Sequence, residues 1–118
     1  LSKVVSGEEI IYFQQLIRRM PIPDNVLSYA VNLSTKTRPN TPAATDMVNS
    51  YLSWGAGPRA SQFLVVGAKC HAAFKGKYSP DIEDVKAVAP AILRHRIVKN
   101  YKAEAEGVSV DKIIQSLV

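Results

Sequence analysis

The sequence has very few residues that bind metals or form disulfides: one cysteine, Cys70, and two histidines in 118 residues. A single cysteine cannot form an intrachain disulfide, so the paired cysteines typical of small secreted domains are missing and a reducing compartment is expected. The same counts disfavour a dedicated zinc site. No apolar run approaches the roughly 20 residues of a membrane-spanning helix, and the first residues show no signal-peptide pattern. These absences predict a cytoplasmic protein.

The sequence also lacks the Gly-x-x-x-x-Gly-Lys-Ser/Thr loop that binds nucleotide phosphates. The stretch FKGKYS, residues 74–79, fails because a tyrosine follows Lys77 and no second glycine lies five residues before Gly76. No acidic pair follows an apolar strand to hold magnesium. We therefore expect that this chain alone hydrolyses no nucleotide.

Length and composition predict one globular domain, because 118 residues suffice for a single core and 47% of them are apolar while 21% are charged. The formal net charge is +5. The excess lies between residues 59 and 102, which hold nine Lys or Arg against three Asp or Glu. An anionic partner is therefore expected to bind this segment.

Apolar residues at helical spacing predict an all-α fold, a small orthogonal bundle of about five helices. The first helix is predicted from a capping box between Ser6 and Glu9, and it ends at Pro21. Asp24 is predicted to cap a second helix that ends near Lys36. The expected core-facing positions are Ile10, Phe13, Ile17 and Met20 in the first helix and Leu27, Ala30, Val31 and Ser34 in the second.

The segment after the second helix contains several turn-forming residues. Residues 37–50 are rich in Pro, Thr and Asn and are interpreted as a surface loop. Residues 51–54 fit a short extended piece, and the sequence leaves open whether they pair with residues 96–99 as a minor two-stranded β pair. Residues 99–107 are interpreted as a solvated connector.

The clearest helical stripe follows Pro58, whose fixed φ suits the first position of a helix. This central helix is predicted to end at Gly76. Its expected core-facing positions are Ala60, Phe63, Leu64, Gly67, Ala68, His71 and Ala72.

Further helices are predicted in the last third of the chain. Ser79 is expected to cap one of them, with Pro80 as its first residue. Pro90 either kinks this helix or separates it from another. Ser109 is expected to cap the last helix, which spans residues 110–117. Its core-facing positions are Ile113, Ile114 and Leu117.

Arg59 stands in the first turn of the central helix, where a positive side chain opposes the helix dipole by roughly 0.3–1 kcal/mol. The exposed amides of such a turn attract anions, and a cation beside them would bind the same target, for example a phosphate. In the alternative interpretation Gly55 and Gly57 only shape a tight turn and Arg59 points into solvent. Trp54 and Tyr51 are expected to anchor this turn.

The stretch WGAGPRASQFLVVGAKCHAAFKGKYSPDIEDVKAVAPAILRHRI, residues 54–97, resembles the C-terminal helical lid domain of the MoxR family of AAA+ ATPases. That family carries a Gly-Ala-Ser-Pro-Arg-Ala turn, an alanine-rich helix, a Gly-Arg-x-Tyr-Val-x-Pro-x-Asp-Val linker and a Leu-x-His-Arg-Ile ending. The earlier Glu-Glu-Ile and Val-x-x-Tyr-Ala-Val-x-Leu helices and Thr37-Arg38 fit as well. The resemblance spans nearly the whole chain.

The resemblance implies a role for Arg59. In that family the arginine of the turn is the second sensor residue, which reaches from the lid to the γ-phosphate of ATP held by the neighbouring core domain. Gly57 and Pro58 would shape this site. Gly57 stands where serine is usual, and Lys77 stands where arginine is usual, so bidentate pairing is lost there.

The resemblance also implies that residues 1–118 are the lid of a longer, chaperone-like ATPase. Its nucleotide-binding core is expected upstream of Leu1 and would bind most of the ATP and magnesium. Implied partners are that core, neighbouring subunits of a homo-oligomeric ring and a client protein that the sequence does not identify. No membrane partner is expected.

The alternative function is a free-standing basic helical module that binds nucleic acid. The positively charged segment favours it. The dispersal of its cations around their helices disfavours it; these are Lys69, Lys75, Lys86 and Arg94.

The remaining candidate residues are expected to be structural. His95 and Arg96 have no Ser, Cys or carboxylate nearby in sequence to complete a catalytic set, so we expect them to pack and to form hydrogen bonds where a helix ends. His71 is expected in the core or at an interface, and Cys70 is expected to be a buried or half-buried thiol.

Overall fold

The structure, a computed structural model, describes residues 7–118. Within this range the chain forms seven helices and one antiparallel pair of short strands. In chain order the elements are α1 (Gly7–Arg19), α2 (Asp24–Lys36), α3 (Asp46–Tyr51), β1 (Leu52–Trp54), α4 (Pro58–Phe74), α5 (Ile82–Leu93), β2 (Val98–Lys99), α6 (Tyr101–Glu106) and α7 (Val110–Leu117). The predicted all-α bundle is confirmed.

The centre of the bundle is the packing of α4 against α5. Gly67 permits the close approach, because a Cβ atom at this position would lie 2.8 Å from Cδ1 of Ile92. Small residues on α4 therefore allow the two helices to share one core. The buried residues of the pair are Ala60, Leu64, Ala68 and Ala72 on α4 and Val85, Ala89 and Leu93 on α5.

The turn between α4 and α5 confirms the role predicted for Gly76. This residue has φ of 75°, in the left-handed region that glycine adopts without strain. Its N–H bonds to the carbonyl of Ala73, and the N–H of Lys77 bonds to the carbonyl of Ala72. These two bonds form a Schellman motif and satisfy carbonyls at the end of the helix.

The start of α5 differs from the prediction. The helix begins at Ile82, and its cap is Asp81 rather than Ser79. Asp81 and Asp84 form a capping box: the Asp81 carboxylate accepts from the N–H of Asp84, and the Asp84 carboxylate accepts from the N–H of Asp81. The helix continues through Pro90, so one of the two open alternatives, two separate helices, is wrong.

The first two helices form as predicted, but the faces that they bury differ. The predicted cap Ser6 lies outside the described residues. In α1 only Ile17 is buried, because this helix packs against α4 over a small area. In α2 the buried residues are Val26, Ala30, Leu33 and Ser34, whereas Leu27 and Val31 are exposed. Asp24 is the first helical residue rather than the cap; the N–H groups of Val26 and Leu27 bond to the carbonyl of Pro23 instead.

Two segments interpreted as loop and connector each contain a short helix, which is why the count exceeds the predicted five. Thr45 caps α3 by accepting from the N–H of Val48, which is fully buried. Asn100 caps α6 by accepting from the N–H of Ala103, also fully buried. Helices of six residues are too short to show helical periodicity, so the sequence does not reveal them; each is stabilised by its cap and by the burial of one residue.

The β pair left open by the sequence is present. Leu52 pairs with Lys99 and Trp54 with Val98, in antiparallel register with an irregularity between them. The predictions for α7 are confirmed: Ser109 is its cap, and Ile113, Ile114 and Leu117 are buried. No helix found in residues 7–118 combines the length and apolarity needed to cross a membrane.

Candidate functional site

Arg59 lies where the sequence predicts it, in the first turn of α4. Gly57 caps the helix with extended backbone angles, and Pro58 is the first helical residue. The Arg59 side chain is exposed. Within residues 7–118 it makes no hydrogen bond or ion pair, and the turn contains no acidic residue. The unfavourable interaction with the helix dipole is therefore not compensated by a carboxylate of this chain.

The backbone of this turn offers fewer free amides than the sequence suggests. Pro58 has no N–H, and the N–H of Ala60 bonds to the carbonyl of Gly57 at 3.0 Å. The expected anion site made of exposed amides is therefore reduced, and the guanidinium of Arg59 is the main positive group that the turn presents to solvent.

The turn of residues 55–57 is held against the end of α2 by Thr37. This side chain is fully buried; its hydroxyl donates to the carbonyl of Ser34 at 2.6 Å and accepts from the N–H of Ala56 at 2.8 Å. Arg38 adds a hydrogen bond from Nε to the carbonyl of Ala56 at 2.9 Å. The direction in which Arg59 leaves the bundle is thus fixed by residues about 20 positions earlier.

Gly55 is required by this contact. A Cβ atom at position 55 would lie 2.3 Å from the carbonyl oxygen of Thr37 and 2.6 Å from the Cα of Arg38, both backbone atoms. Of the two expected anchors, Trp54 is 71% exposed, so its assignment as an anchor is wrong. Tyr51 is half-buried and packs against the core. No local sequence signal identifies the contact between Thr37 and Ala56, because these residues are 19 positions apart.

The sequence predicts that Phe63, one turn after Arg59, faces the core, and this prediction is wrong. Phe63 is 44% exposed, and the guanidinium carbon of Arg96 lies 4.4 Å from the centroid of its ring. Arg96 follows α5 in an exposed turn. His95 in the same turn is exposed and has no hydrogen bond among residues 7–118, so its expected packing role is wrong. Ile97, which follows Arg96, is buried and packs in the core.

A second polar cluster lies at the other end of α4, around Asp84. This carboxylate is 1% exposed and is bonded by Lys77 Nζ at 2.7 Å and His71 Nδ1 at 2.6 Å. Burial raises the pKa of Asp84, but hydrogen bonds from Lys77, the Asp81 amide and His71 outweigh it and lower the pKa to about 2. Lys77, which stands where the resembling family has arginine, therefore joins the α4–α5 turn to the start of α5. Cys70 is half-buried, as predicted.

Residues 44–117 match a family described as AAA lid domain. The chain belongs to this family. The match covers the turn that carries Arg59, all of α4 and α5, and the short elements that follow. The resemblance drawn from the sequence is thereby confirmed at the level of the family.

Individual relatives identify this lid domain as one of the MoxR type. The chain is 27% identical over 117 residues to the chaperone MoxR1 of Mycobacterium tuberculosis, and 24% identical over 118 residues to the uncharacterised protein YeaC of Bacillus subtilis. These alignments cover 99% and 100% of the chain but 31% and 34% of the relatives. The lid domain thus spans about a third of the length of the curated relatives it matches.

A solved structure has the same fold. It is the crystal structure of a Cytophaga hutchinsonii protein described as a "putative ATPase", with a TM-score of 0.89 and 36% identity. The similarity covers 98% of this chain and 35% of that one. The lid domain therefore has the same arrangement of helices as one segment of a larger protein.

Proposed function

We propose that this lid domain senses the γ-phosphate of ATP through Arg59, within a MoxR-like AAA+ ATPase. The observation that carries the proposal is an exposed arginine in the first turn of α4 with no ion-pair partner among residues 7–118, at the position where the resembling family has its second sensor residue. The nucleotide-binding core belongs, in this proposal, to the same polypeptide outside residues 1–118 and binds most of the ATP and Mg²⁺. The chain itself supplies Arg59 and the turn of Gly57 and Pro58.

The electrostatics of the turn support an anionic ligand. Arg59 destabilises the start of its own helix slightly, and a phosphate would remove that cost while forming a charge-assisted hydrogen bond. Such a bond contributes about 1.5–3 kcal/mol. A ligand with one phosphate fewer would lose it, which is how a single arginine distinguishes ATP from ADP.

The rigidity of the turn supports coupling between nucleotide and lid position. Thr37, Arg38 and the fit of Gly55 join the turn to α2, and the β pair joins it to the segment after α5. A force on Arg59 is therefore transmitted to the whole bundle rather than absorbed by a mobile loop. In the proposal the lid closes when the γ-phosphate contact forms and opens when it is lost.

Exposed apolar residues support contacts with other parts of the assembly. Five apolar side chains of α1 and Phe74 of α4 are at least 41% exposed; they are Ile10, Ile11, Tyr12, Phe13, Leu16 and Phe74. Exposed apolar side chains gathered on two helices in this way are typical of an interface. The proposed partners are the core domain and neighbouring subunits of a homo-oligomeric ring, which acts in the cytoplasm on a client protein as a chaperone-like remodelling ATPase.

The test is the Arg59→Ala substitution in the full-length ATPase. We expect the protein to remain folded, because a surface arginine contributes little to stability. ATP turnover or ATP-dependent assembly should fall about tenfold or more, the equivalent of one charge-assisted hydrogen bond. Arg18→Ala, which removes an exposed arginine from α1, serves as the matched control. Normal ATP cycling by the Arg59→Ala variant would show that the proposal is wrong.

Nucleic-acid binding is the less favoured alternative. Four of the nine cations in residues 59–102 are paired with carboxylates, namely Lys77, Lys86, Arg94 and Lys99. Fewer cations therefore remain to bind a phosphate backbone. Binding to duplex DNA with a steep salt dependence that Arg59→Ala leaves unchanged would favour this alternative.

A further inference from the structure

Two arginines lie beside one exposed aromatic ring. Arg59 and Phe63 are four residues apart on α4, so their side chains share one face of the helix. The guanidinium of Arg96 lies 4.4 Å from the centroid of the Phe63 ring, a cation–π contact. Phe63 thus shares a helix face with Arg59, by its i, i+4 spacing, and its ring is covered by Arg96 from the turn after α5.

The β pair explains why these two arginines come together. Trp54 and Val98 are antiparallel partners, so the chain leaving Trp54 and the chain entering Val98 lie at the same end of the pair. The first leads within five residues to Arg59, and the second contains Arg96 two residues before Val98. Buried Ile97 and a backbone bond from Arg96 to the carbonyl of Leu93 fix the second segment.

Neither arginine has a carboxylate partner among residues 7–118. The side chain of Arg96 makes one long hydrogen bond, from Nη1 to the carbonyl of Ile92 at 3.4 Å, which neutralises no charge. The neighbouring Arg94, by contrast, is paired with both carboxylate oxygens of Asp111. Both guanidinium groups keep their full charge, and an anion with several charged oxygens is the kind of ligand that could bind both.

We propose that Arg96 is a second contact for the triphosphate that Arg59 senses, and that Phe63 positions it. This inference rests on the proposed function and extends it to a residue outside the sensor turn. Stacking on the ring leaves the planar donors at the edge of the guanidinium free to bind phosphate oxygens. Because the two arginines come from α4 and from the segment after α5, a triphosphate bound by both would also fasten these segments to each other.

The experiment measures the affinity of the full-length protein for ATPγS and for ADP by titration calorimetry. Arg96→Ala should weaken ATPγS binding about tenfold, which is one charge-assisted hydrogen bond of modest strength, and should weaken ADP binding less. Arg96→Lys keeps the charge but loses the planar donors, so it should recover only part of the affinity. Arg94→Ala and Lys102→Ala are the controls. Lys102 lies on α6, and its substitution removes a different cation–π contact, the one with the ring of Tyr51.

Phe63 requires a test that separates positioning from stability. Phe63→Leu should reduce the preference for ATPγS over ADP, and Phe63→Tyr, which keeps the ring, should restore it. In the Arg96→Ala background Phe63→Leu should have no further effect on this preference, because there is no guanidinium left to position. An equal effect of Phe63→Leu in both backgrounds would overturn the positioning role.

The outcomes distinguish this inference from the function on which it rests. If Arg59→Ala weakens ATPγS binding and Arg96→Ala does not, Arg96 is not a contact and the proposed function stands. If only Arg96→Ala weakens it, Arg59 is not the sensor and the proposed function fails while Arg96 binds the phosphate. If neither substitution acts, both proposals are wrong.

Discussion

The buried hydroxyl of Thr37 accepts a hydrogen bond from the backbone N–H of Ala56 at 2.8 Å, and these residues are 19 positions apart. The contact fixes the turn that precedes α4, and with it the position of Arg59. Its neighbours Gly55 and Arg38 complete the attachment. The placement of Arg59 therefore depends on the end of α2 as much as on α4 itself.

Replacing Thr37 by valine should destabilise the lid domain. The substitution keeps the shape of the side chain but leaves the buried N–H of Ala56 without a partner, at a cost of about 1–3 kcal/mol. Urea unfolding followed by circular dichroism measures the loss. Thr35→Val is the control, because the Thr35 hydroxyl bonds to the carbonyl of Val31 on the surface, and it should cost less than about 0.5 kcal/mol. Equal losses for the two variants would contradict this account of the turn.

Gly55→Ala should destabilise the folded domain more than Gly57→Ser does. The new Cβ meets the backbone of Thr37 and Arg38, which cannot move aside cheaply, and an overpacking cost of about 1–3 kcal/mol is expected. At Gly57 a Cβ has no neighbour within 4 Å, and serine there gives the helix a capping hydroxyl. Gly57→Ser should therefore leave the melting temperature unchanged or raise it. A larger loss for Gly57→Ser than for Gly55→Ala would be inconsistent with the structure.

The Asp84 carboxylate should make stability depend on acid pH. Its pKa is about 2 in the folded chain against an ordinary value of 3.8. A lowered pKa means stabilisation that is fully present above about pH 4 and is lost as the pH falls towards 2. The shift corresponds to about 2 kcal/mol.

The measurement is the difference in unfolding free energy between the unaltered chain and Asp84→Asn across this pH range. The difference should be largest at neutral pH and should shrink below pH 4, because protonation then removes the same charge that the substitution removes. Both proteins contain the same side chains facing position 84, namely Lys77 and His71. A difference that is constant from pH 7 to pH 2 would contradict the prediction.

Two adjacent residues of α4 should respond very differently to truncation. Leu64 is fully buried, so Leu64→Ala should cost about 2–5 kcal/mol. Phe63 is 44% exposed, so Phe63→Ala should cost about 1–2 kcal/mol, well below the roughly 3–5 kcal/mol of a buried phenylalanine. Chemical denaturation of the two variants compares them directly. A larger cost at Phe63 would place its ring in the core.

The sequence is most informative where local chemistry decides the structure. Pro58 and Gly76 mark the ends of α4 because one residue has a fixed φ and the other adopts a left-handed φ easily. The predicted core stripe on α4 is confirmed at Ala60, Leu64, Ala68 and Ala72, and Ser109 is confirmed as the cap of α7. The resemblance in residues 54–97 located Arg59 in the turn where the structure has it.

Two incorrect predictions are local shifts of a helix cap, from Asp24 to Pro23 and from Ser79 to Asp81. The others involve contacts between distant segments. Phe63 has the spacing of a core residue, but α5 approaches the adjacent face of α4, and Arg96 covers the ring instead. The helices α3 and α6 are too short to be recognised by periodicity and form where Val48 and Ala103 enter a core built by other elements.

By itself the sequence determined the long helices, most of their ends and the presence of an arginine in the first turn of α4. These features follow from interactions within one or two helical turns. Only the tertiary structure decided which face of each helix is buried, that Thr37 holds the turn before Arg59, and that Arg96 stacks on Phe63. Those contacts depend on which distant backbones can approach closely, and this is set by the packing of the whole bundle.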